Sequence, residues 1–246
     1  MNELALFAGA GGGILGGHLL GWRTVCAVER DAYAAQVLAQ RQNDGTLRAF
    51  PIWSDVCSFD GKAWRGIVDV ISGGFPCQDI SSAGKGAGIE GERSGLWKHM
   101  ARIIGEVRPR YVLLENSPLL MGRGLAMVLG NLASLGFDAE WCCISASECG
   151  AAHNRDRIWL VAYPKSEHGK SWHRLVQSQS GRTPAQPGGL SGLAALAEWR
   201  RGNAWPECLP RLCRVADDVA FGVDRLKALG NGQVPRVAAT AFTLLR

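Results

Sequence analysis

The sequence predicts an α/β fold, a mostly parallel β-sheet with helices on both faces, and three observations carry that prediction. Short apolar runs alternate with helix-like segments from residue 1 to about 163, the pattern of strands joined by crossover helices. The first run opens directly into FAGAGGGILGG, and the second ends in Glu29. A glycine loop after one strand and an acid closing the next are the arrangement that holds an adenosine-containing cofactor in a Rossmann-like sheet.

ELALF (3–7) is the first strand, and the glycines after it permit a tight turn and a close backbone approach to a ligand at a helix N-terminus. Gly11-x-Gly13-x-x-Gly16 fits the dinucleotide fingerprint, and TVCAVE (24–29) puts Glu29 where a carboxylate accepts both ribose hydroxyls. A nicotinamide dinucleotide and S-adenosylmethionine both remain open at this point, because both use this half of the fold. AAQVLAQ reads as a helix, and a third strand precedes WSDV, where Asp55 is either an acceptor for an adenine amino group or an ordinary surface aspartate. IVDVIS (67–72) is the next strand, followed by the helix SGLWKHMARIIGEV, the strand YVLLE (111–115), the helix LAMVLGNLASLG, and the strands AEWCCIS (139–145) and RIWLVAY (157–163).

Periodicity then fades. Residues 164–221 form a small irregular region rich in Gly, Pro and Ser, and residues 222–246 resume helical spacing around a Gly-Asn-Gly turn and Pro235, returning to the domain formed by 1–163. The net charge of +5 has a location: residues 165–214 hold eight Lys or Arg against three Glu, and the remainder balances. That stretch also carries Trp172, Trp199 and Trp205, the composition of a polyanion-contacting surface or of a solvated loop. The eight cysteines have neither the density of a disulfide scaffold nor zinc spacing. No apolar run approaches the roughly 18 residues that span a bilayer, and the N-terminus lacks signal-peptide character, so a cytoplasmic protein without a membrane partner is expected.

One cysteine is placed for chemistry. The strand ending ISGGFPCQ delivers Cys77 to the carboxyl edge of the sheet, where ligands bind in open α/β folds. Pro76 stiffens the approach, and the glycine-rich run that follows suits a lid over the site.

Gly74-Phe75-Pro76-Cys77-Gln78, with Phe7-Ala8-Gly9-Ala10-Gly11-Gly12 before it and Glu115-Asn116, Arg155-x-Arg157 and Gly230-Asn231-Gly232-Gln233-Val234-Pro235 after it, resembles the DNA cytosine-5 methyltransferases in order and spacing. The resemblance covers roughly 1–163 and 222–246. It implies methyl transfer from S-adenosylmethionine to C5 of a flipped-out cytosine in double-stranded DNA, through a covalent adduct with Cys77. Glu115 is then the protonated acid at N3, and Arg155 and Arg157 hold the base. For the cofactor it implies Phe7 against the adenine, backbone at Gly9, Gly11 and Gly12, Glu29 on the ribose, Asp55 and Val56 at the adenine, and Pro76, Asn231 and Val234 lining the rest. Phe7 and Val234 equally suit plain core. Gln78, Ser81 and Arg93 in the lid and Arg200 and Arg201 in the basic region are the expected DNA contacts. A bacterial or phage setting, a separately acting restriction endonuclease and a monomeric state complete the expectation.

The chain departs from the family pattern at His153, where glutamine usually precedes the arginines, at Ala151-Ala152, and at Ser117 after Glu-Asn. Two other readings are an NAD-dependent dehydrogenase, which leaves Pro-Cys-Gln unexplained, and a catalytically silent DNA-binding homologue.

Overall fold

Seven strands form one sheet in the computed structural model, which describes residues 1–76, 95–165, 224, 228 and 230–246. They are β1 (Asn2–Leu6), β2 (Arg23–Val28), β3 (Ile52–Trp53), β4 (Val70–Gly73), β5 (Tyr111–Asn116), β6 (Phe137–Ser145) and β7 (Asp156–Pro164), in the order β3-β2-β1-β4-β5-β7-β6. β1 to β5 pair in parallel, whereas β7 lies antiparallel between β5 and β6. The helices are α1 (Gly12–Leu19), α2 (Ala32–Asn43), α3 (Leu96–Val107), α4 (Leu120–Arg123), α5 (Leu125–Ser134) and α6 (Pro235–Leu245). The expected mostly parallel sheet is the one observed. The third strand is only two residues long, and the next begins at Val70 instead of residue 67, because Ile67 lies in an exposed turn before the sheet.

Period-two alternation assigns each strand residue to a face. Leu4, Leu6, Ile71, Val112, Leu114, Ile158 and Leu160 join a core with Trp97, Met100, Ile103 and Val107 of α3 and Val128 and Leu132 of α5. Those α3 positions recur at helical spacing, so one stripe of the helix is buried. Val70, Leu113, Trp159 and Val161 point the other way, onto Val237, Ala238, Ala241 and Phe242 of α6. Ala5 and Ala27 meet Ile14 of α1 and Leu38 of α2 on that same side. Both faces are therefore covered, as a parallel sheet requires.

α2 begins where the Asp31 carboxylate accepts the Ala34 backbone N–H at 3.1 Å, a side-chain cap. α6 begins at Pro235, whose fixed φ suits the first helical position. Among the described residues no helix is long and apolar enough to cross a membrane.

An ionisable side chain lies at the centre of the sheet. Glu3 on β1 is fully buried and accepts hydrogen bonds from Thr24 Oγ1 at 2.7 Å and Ser72 Oγ at 2.6 Å, one from each neighbouring strand. Gly17 of α1 passes over it, where a Cβ would come within 3.1 Å of Glu3 Oε2 and 3.0 Å of Trp22. Burial pushes the carboxyl up from 4.5 to about 7, against the two hydroxyl hydrogen bonds that oppose the rise. The folded state thus holds this proton more tightly than the unfolded chain. The resulting stabilisation is complete below the unfolded pKa and is lost as pH rises through the folded one, by about 3 kcal/mol. Urea unfolding at about pH 4 and about pH 8 is expected to show a larger loss in the wild type than in Glu3→Gln; equal losses in both proteins would remove Glu3 as a cause.

Candidate active site

The carboxyl ends of β1, β2, β4 and β5 lie along one edge of the sheet. β7 runs the opposite way, so its start reaches that same edge: Ile158 pairs with Asn116, the last residue of β5, and Arg157 lies one residue beyond. The sheet also changes direction here, since β2 and β4 flank β1 on opposite sides, which opens a crevice at the strand ends. A cavity of about 650 Å³ occupies it.

One wall holds the residues expected to bind a cofactor. Phe7, Gly9, Glu29, Asp55, Val56, Pro76 and Asn231 all line the cavity. Phe7 has φ 53 and Gly9 φ 53, and a side chain held in this left-handed region costs roughly 1–2 kcal/mol. A Cβ at Gly9 would meet nothing within 4 Å, so backbone there faces open space. Glu29 joins two loops: Oε2 accepts the Gly9 N–H at 2.6 Å and Oε1 the Asp31 N–H at 2.7 Å. The Asp55 carboxylate accepts the Cys57 N–H at 2.9 Å, and hydrogen bonding to Cys57 holds its pKa below the ordinary value, so it remains ionised and an acceptor.

The opposite wall holds Glu115, Arg155 and Arg157. Glu115 is buried, and its Oε1 meets Arg157 Nε at 2.8 Å. Desolvation raises its pKa; Arg157, Arg155 and a hydrogen bond from Gln233 pull in the other direction without reversing the shift. Arg155 has a different task from its neighbour. Its two terminal nitrogens donate to the carbonyls of Gly230 at 2.6 Å and Gly232 at 2.9 Å, bracing the Gly-Asn-Gly turn. Its Nε is buried without a hydrogen-bond partner among the described residues, and burial lowers its proton affinity.

Gly11, Gly12 and Val234, expected at the cofactor, do not line the cavity and pack against neighbouring segments. Gly11, at φ 88, turns the chain into α1, and a Cβ there would lie 2.8 Å from Leu38 Cδ2. At Gly12 a Cβ would come 2.1 Å from the Gln233 carbonyl oxygen, and at Gly13 it would come 2.3 Å from Gln233 Oε1. Gly16 similarly admits Ala238 and the Pro235 carbonyl. Gly12, Gly13 and Gly16 therefore admit residues 233–238, whereas Gly11 admits Leu38, and Val234 packs at the core as the N-cap of α6. His153 is exposed and does not line the cavity.

Sequence reasoning missed the side chains that brace these walls. Arg41 of α2 donates to the Ala10 carbonyl at 2.6 Å, holding the glycine loop. Arg102 of α3 donates to the carbonyls of Val56 at 3.0 Å and Phe59 at 2.9 Å and pairs with Glu106 at 2.8 Å. Neither belongs to a motif; the available signal was only an arginine on an otherwise amphipathic helix. Cys77, Gln78, Ser81, Arg93, Arg200 and Arg201 lie outside the described residues, as does nearly all of the 164–221 region. Among the described residues no group of His, Cys, Asp and Glu is arranged to hold a metal ion.

Comparison with known proteins agrees with this geometry. Residues 1–192 match the family described as C-5 cytosine-specific DNA methylase. Type II methyltransferase M.Eco47II of Escherichia coli is 36% identical over 164 residues, 65% of this chain and 38% of that protein. Type II methyltransferase M.CviJI of Paramecium bursaria Chlorella virus IL3A is 34% identical over 67% of this chain and 43% of its own length. The chain thus spans less than half the length of these curated relatives. Among solved structures, an E. coli prophage-encoded protein assigned as a DNA modification methyltransferase aligns with TM-score 0.57 and 28% identity, over 68% of this chain and 48% of that one. The S. pombe Dnmt2 methyltransferase aligns with TM-score 0.55 over 67% of this chain and 51% of its own, at 20% identity, a likeness of fold.

Gly12→Ala separates helix propensity from packing. Propensity alone favours alanine by about 1 kcal/mol, whereas the close approach of Gln233 predicts a net loss of about 1–3 kcal/mol. Chemical denaturation decides by sign, and a stabilised variant would mean that residues 230–233 do not need the bare glycine.

Proposed function

Because the chain belongs to the C-5 cytosine-specific DNA methylase family, we propose that it transfers a methyl group from S-adenosylmethionine to C5 of a cytosine extruded from double-stranded DNA. The observation that carries this reading is the shared cavity, with Glu29 and Asp55 on one wall and a buried Glu115, its pKa raised by desolvation, beside Arg157 on the other.

The residues present fit the cofactor. Phe7 offers a ring to the adenine, the open backbone at Gly9 allows close approach, and the ionised Asp55 suits an adenine amino group. Glu29 fixes the loops on either side of the ribose site and retains lone pairs for hydroxyls. Bound there, S-adenosylmethionine supplies an electrophilic methyl group.

The protein's task is to make C5 nucleophilic. Cys77, which follows the cavity-lining Pro76 in sequence, adds as thiolate to C6 and turns C5 into an enamine-like carbon. Electron density then moves towards N3, where the Glu115 carboxylic acid donates its proton; once C5 carries the methyl group, loss of the C5 proton expels the Cys77 thiolate from C6 and the N3 proton returns to Glu115. A carboxyl whose pKa burial raises is better suited to that donation than one with an ordinary pKa. Arg157 grips the cytosine carbonyl oxygen; Arg155 acts through the turn it braces. A stacked base cannot reach such a cavity, so it leaves the duplex first, and the lid bearing Gln78, Ser81 and Arg93 closes behind it. The basic region with Arg200 and Arg201 supplies the salt-sensitive DNA surface. The three-part division at 163 and 221, a cytoplasmic setting, a monomeric state and a separately acting endonuclease belong to the same reading.

Radiolabelled methyl transfer to duplex DNA tests it. Wild type is expected to label cytosine C5, and Cys77→Ser is expected to lose turnover while keeping cofactor binding by calorimetry. A duplex with 5-fluorocytosine at the target should trap a covalent adduct, since fluorine does not leave as a proton does. Full turnover by Cys77→Ser would overturn the nucleophile, and binding of NAD in preference to S-adenosylmethionine would overturn the cofactor.

A further inference from the structure

Gln233 belongs to none of the roles assigned above, yet its side chain reaches the centre of the acid wall. Its carboxamide lies beside the Glu115 carboxyl over Gly74, and hydrogen bonding from it is among the influences that oppose the rise in the Glu115 pKa. Glu115 Oε1 is taken by Arg157 Nε, while Oε2 lies over Gly74, where a Cβ would come within 2.6 Å of it. The same bare face of Gly74 admits Gln233 Nε2, which would lie 3.3 Å from that Cβ. Two functional groups thus converge above one glycine.

We propose that Gln233 is the positioning residue of the Glu115 carboxyl, clamping it from the side opposite Arg157 and serving both of its protonation states. A carboxamide has the needed chemistry. Its NH2 donates to a carboxylate, and its carbonyl oxygen, after a half-turn of the terminal torsion, accepts from a carboxylic acid O–H. Arginine donates only, so Arg157 stabilises the ionised form alone. An acid that gives up and regains a proton in each cycle needs a partner that does not lose its hydrogen bond when the proton moves.

The clamp is held in place from outside the cavity. The Gln233 carbonyl passes over Gly12 and its Oε1 over Gly13, both without a Cβ. Arg155 fixes the preceding turn through the Gly230 and Gly232 carbonyls. Such support restricts the amide to the neighbourhood of its partner, as a positioning group requires. It also offers a carboxamide at the acid wall of a chain whose residue 153 is an exposed histidine.

The inference rests on Glu115 being the acid at N3, and its test separates the two. Among the described residues, the charged groups that face Glu115 are Arg157 on β7 and Arg155 before it. Carboxyl-carbon NMR, with Glu115 identified by its loss in Glu115→Gln, follows this proton without turnover. Because the amide N–H holds a carboxylate more strongly than its carbonyl holds the acid O–H, Gln233→Met is expected to raise the Glu115 midpoint, by up to about tenfold in proton affinity. Gln233→Glu, which sets a second carboxyl against the first, is expected to raise it further. In the wild type, the Gln233 side-chain amide resonances are expected to shift through the same midpoint. The alkaline limb of the methyl-transfer pH profile should follow these shifts. Unmoved midpoints in the variants, or an amide insensitive to pH in the wild type, would overturn the clamp. Shifted midpoints in a protein that methylates no cytosine would leave the clamp standing and overturn the proposed function.

Discussion

The passage of residues 230–233 across the bare faces of Gly12 and Gly13 is the constraint on which the site depends. The last described segment must lie almost against the first glycine loop, with the Gln233 carbonyl occupying the space of an absent Cβ. That approach seats α6 on α1, where Gly16 again gives way to Ala238, and brings Phe242 against Trp22 at 4.6 Å. It also brings Asn231 to the cavity and Gln233 to Glu115. Close packing transmits position well because it leaves little room for adjustment.

The cavity sets two electrostatic demands side by side. Near Asp55 the protein stabilises a charge by directing the Cys57 hydrogen bonds at an exposed carboxylate. At Glu115 it does the reverse, removing water and so raising the pKa although two arginines stand nearby. The outcome turns on desolvation exceeding those opposing interactions, which is the way a fold separates the proton affinities of two carboxyls. Both settings follow from topology. Asp55 lies beyond a two-residue edge strand, whereas Glu115 is the last residue but one of a strand flanked by β4 and β7.

Sequence made the sheet legible because each strand carries its own apolar run and each turn its own glycine or acid. It also made the acid wall legible, since Glu115, Arg155 and Arg157 fall at strand ends within recognisable spacing. The glycines were harder. Gly12 and Gly13 resemble a ligand-binding loop locally, and only the arrival of a segment more than two hundred residues later shows what their missing side chains admit. Arg41 and Arg102 were invisible for a related reason, because bracing a backbone carbonyl across 31 or 46 residues leaves no local pattern. Glu3 gave a visible sign, an acid at the head of an apolar strand, but its meaning depends on Thr24 and Ser72 on the neighbouring strands.

The central claim is that this single cavity acts on cytosine in DNA. Bisulfite sequencing of DNA from cells expressing the protein tests it most directly. The account predicts cytosines protected from conversion at one recurring short sequence, and protection absent from cells expressing Cys77→Ser. Complete conversion in cells that make abundant, folded wild-type protein would contradict it.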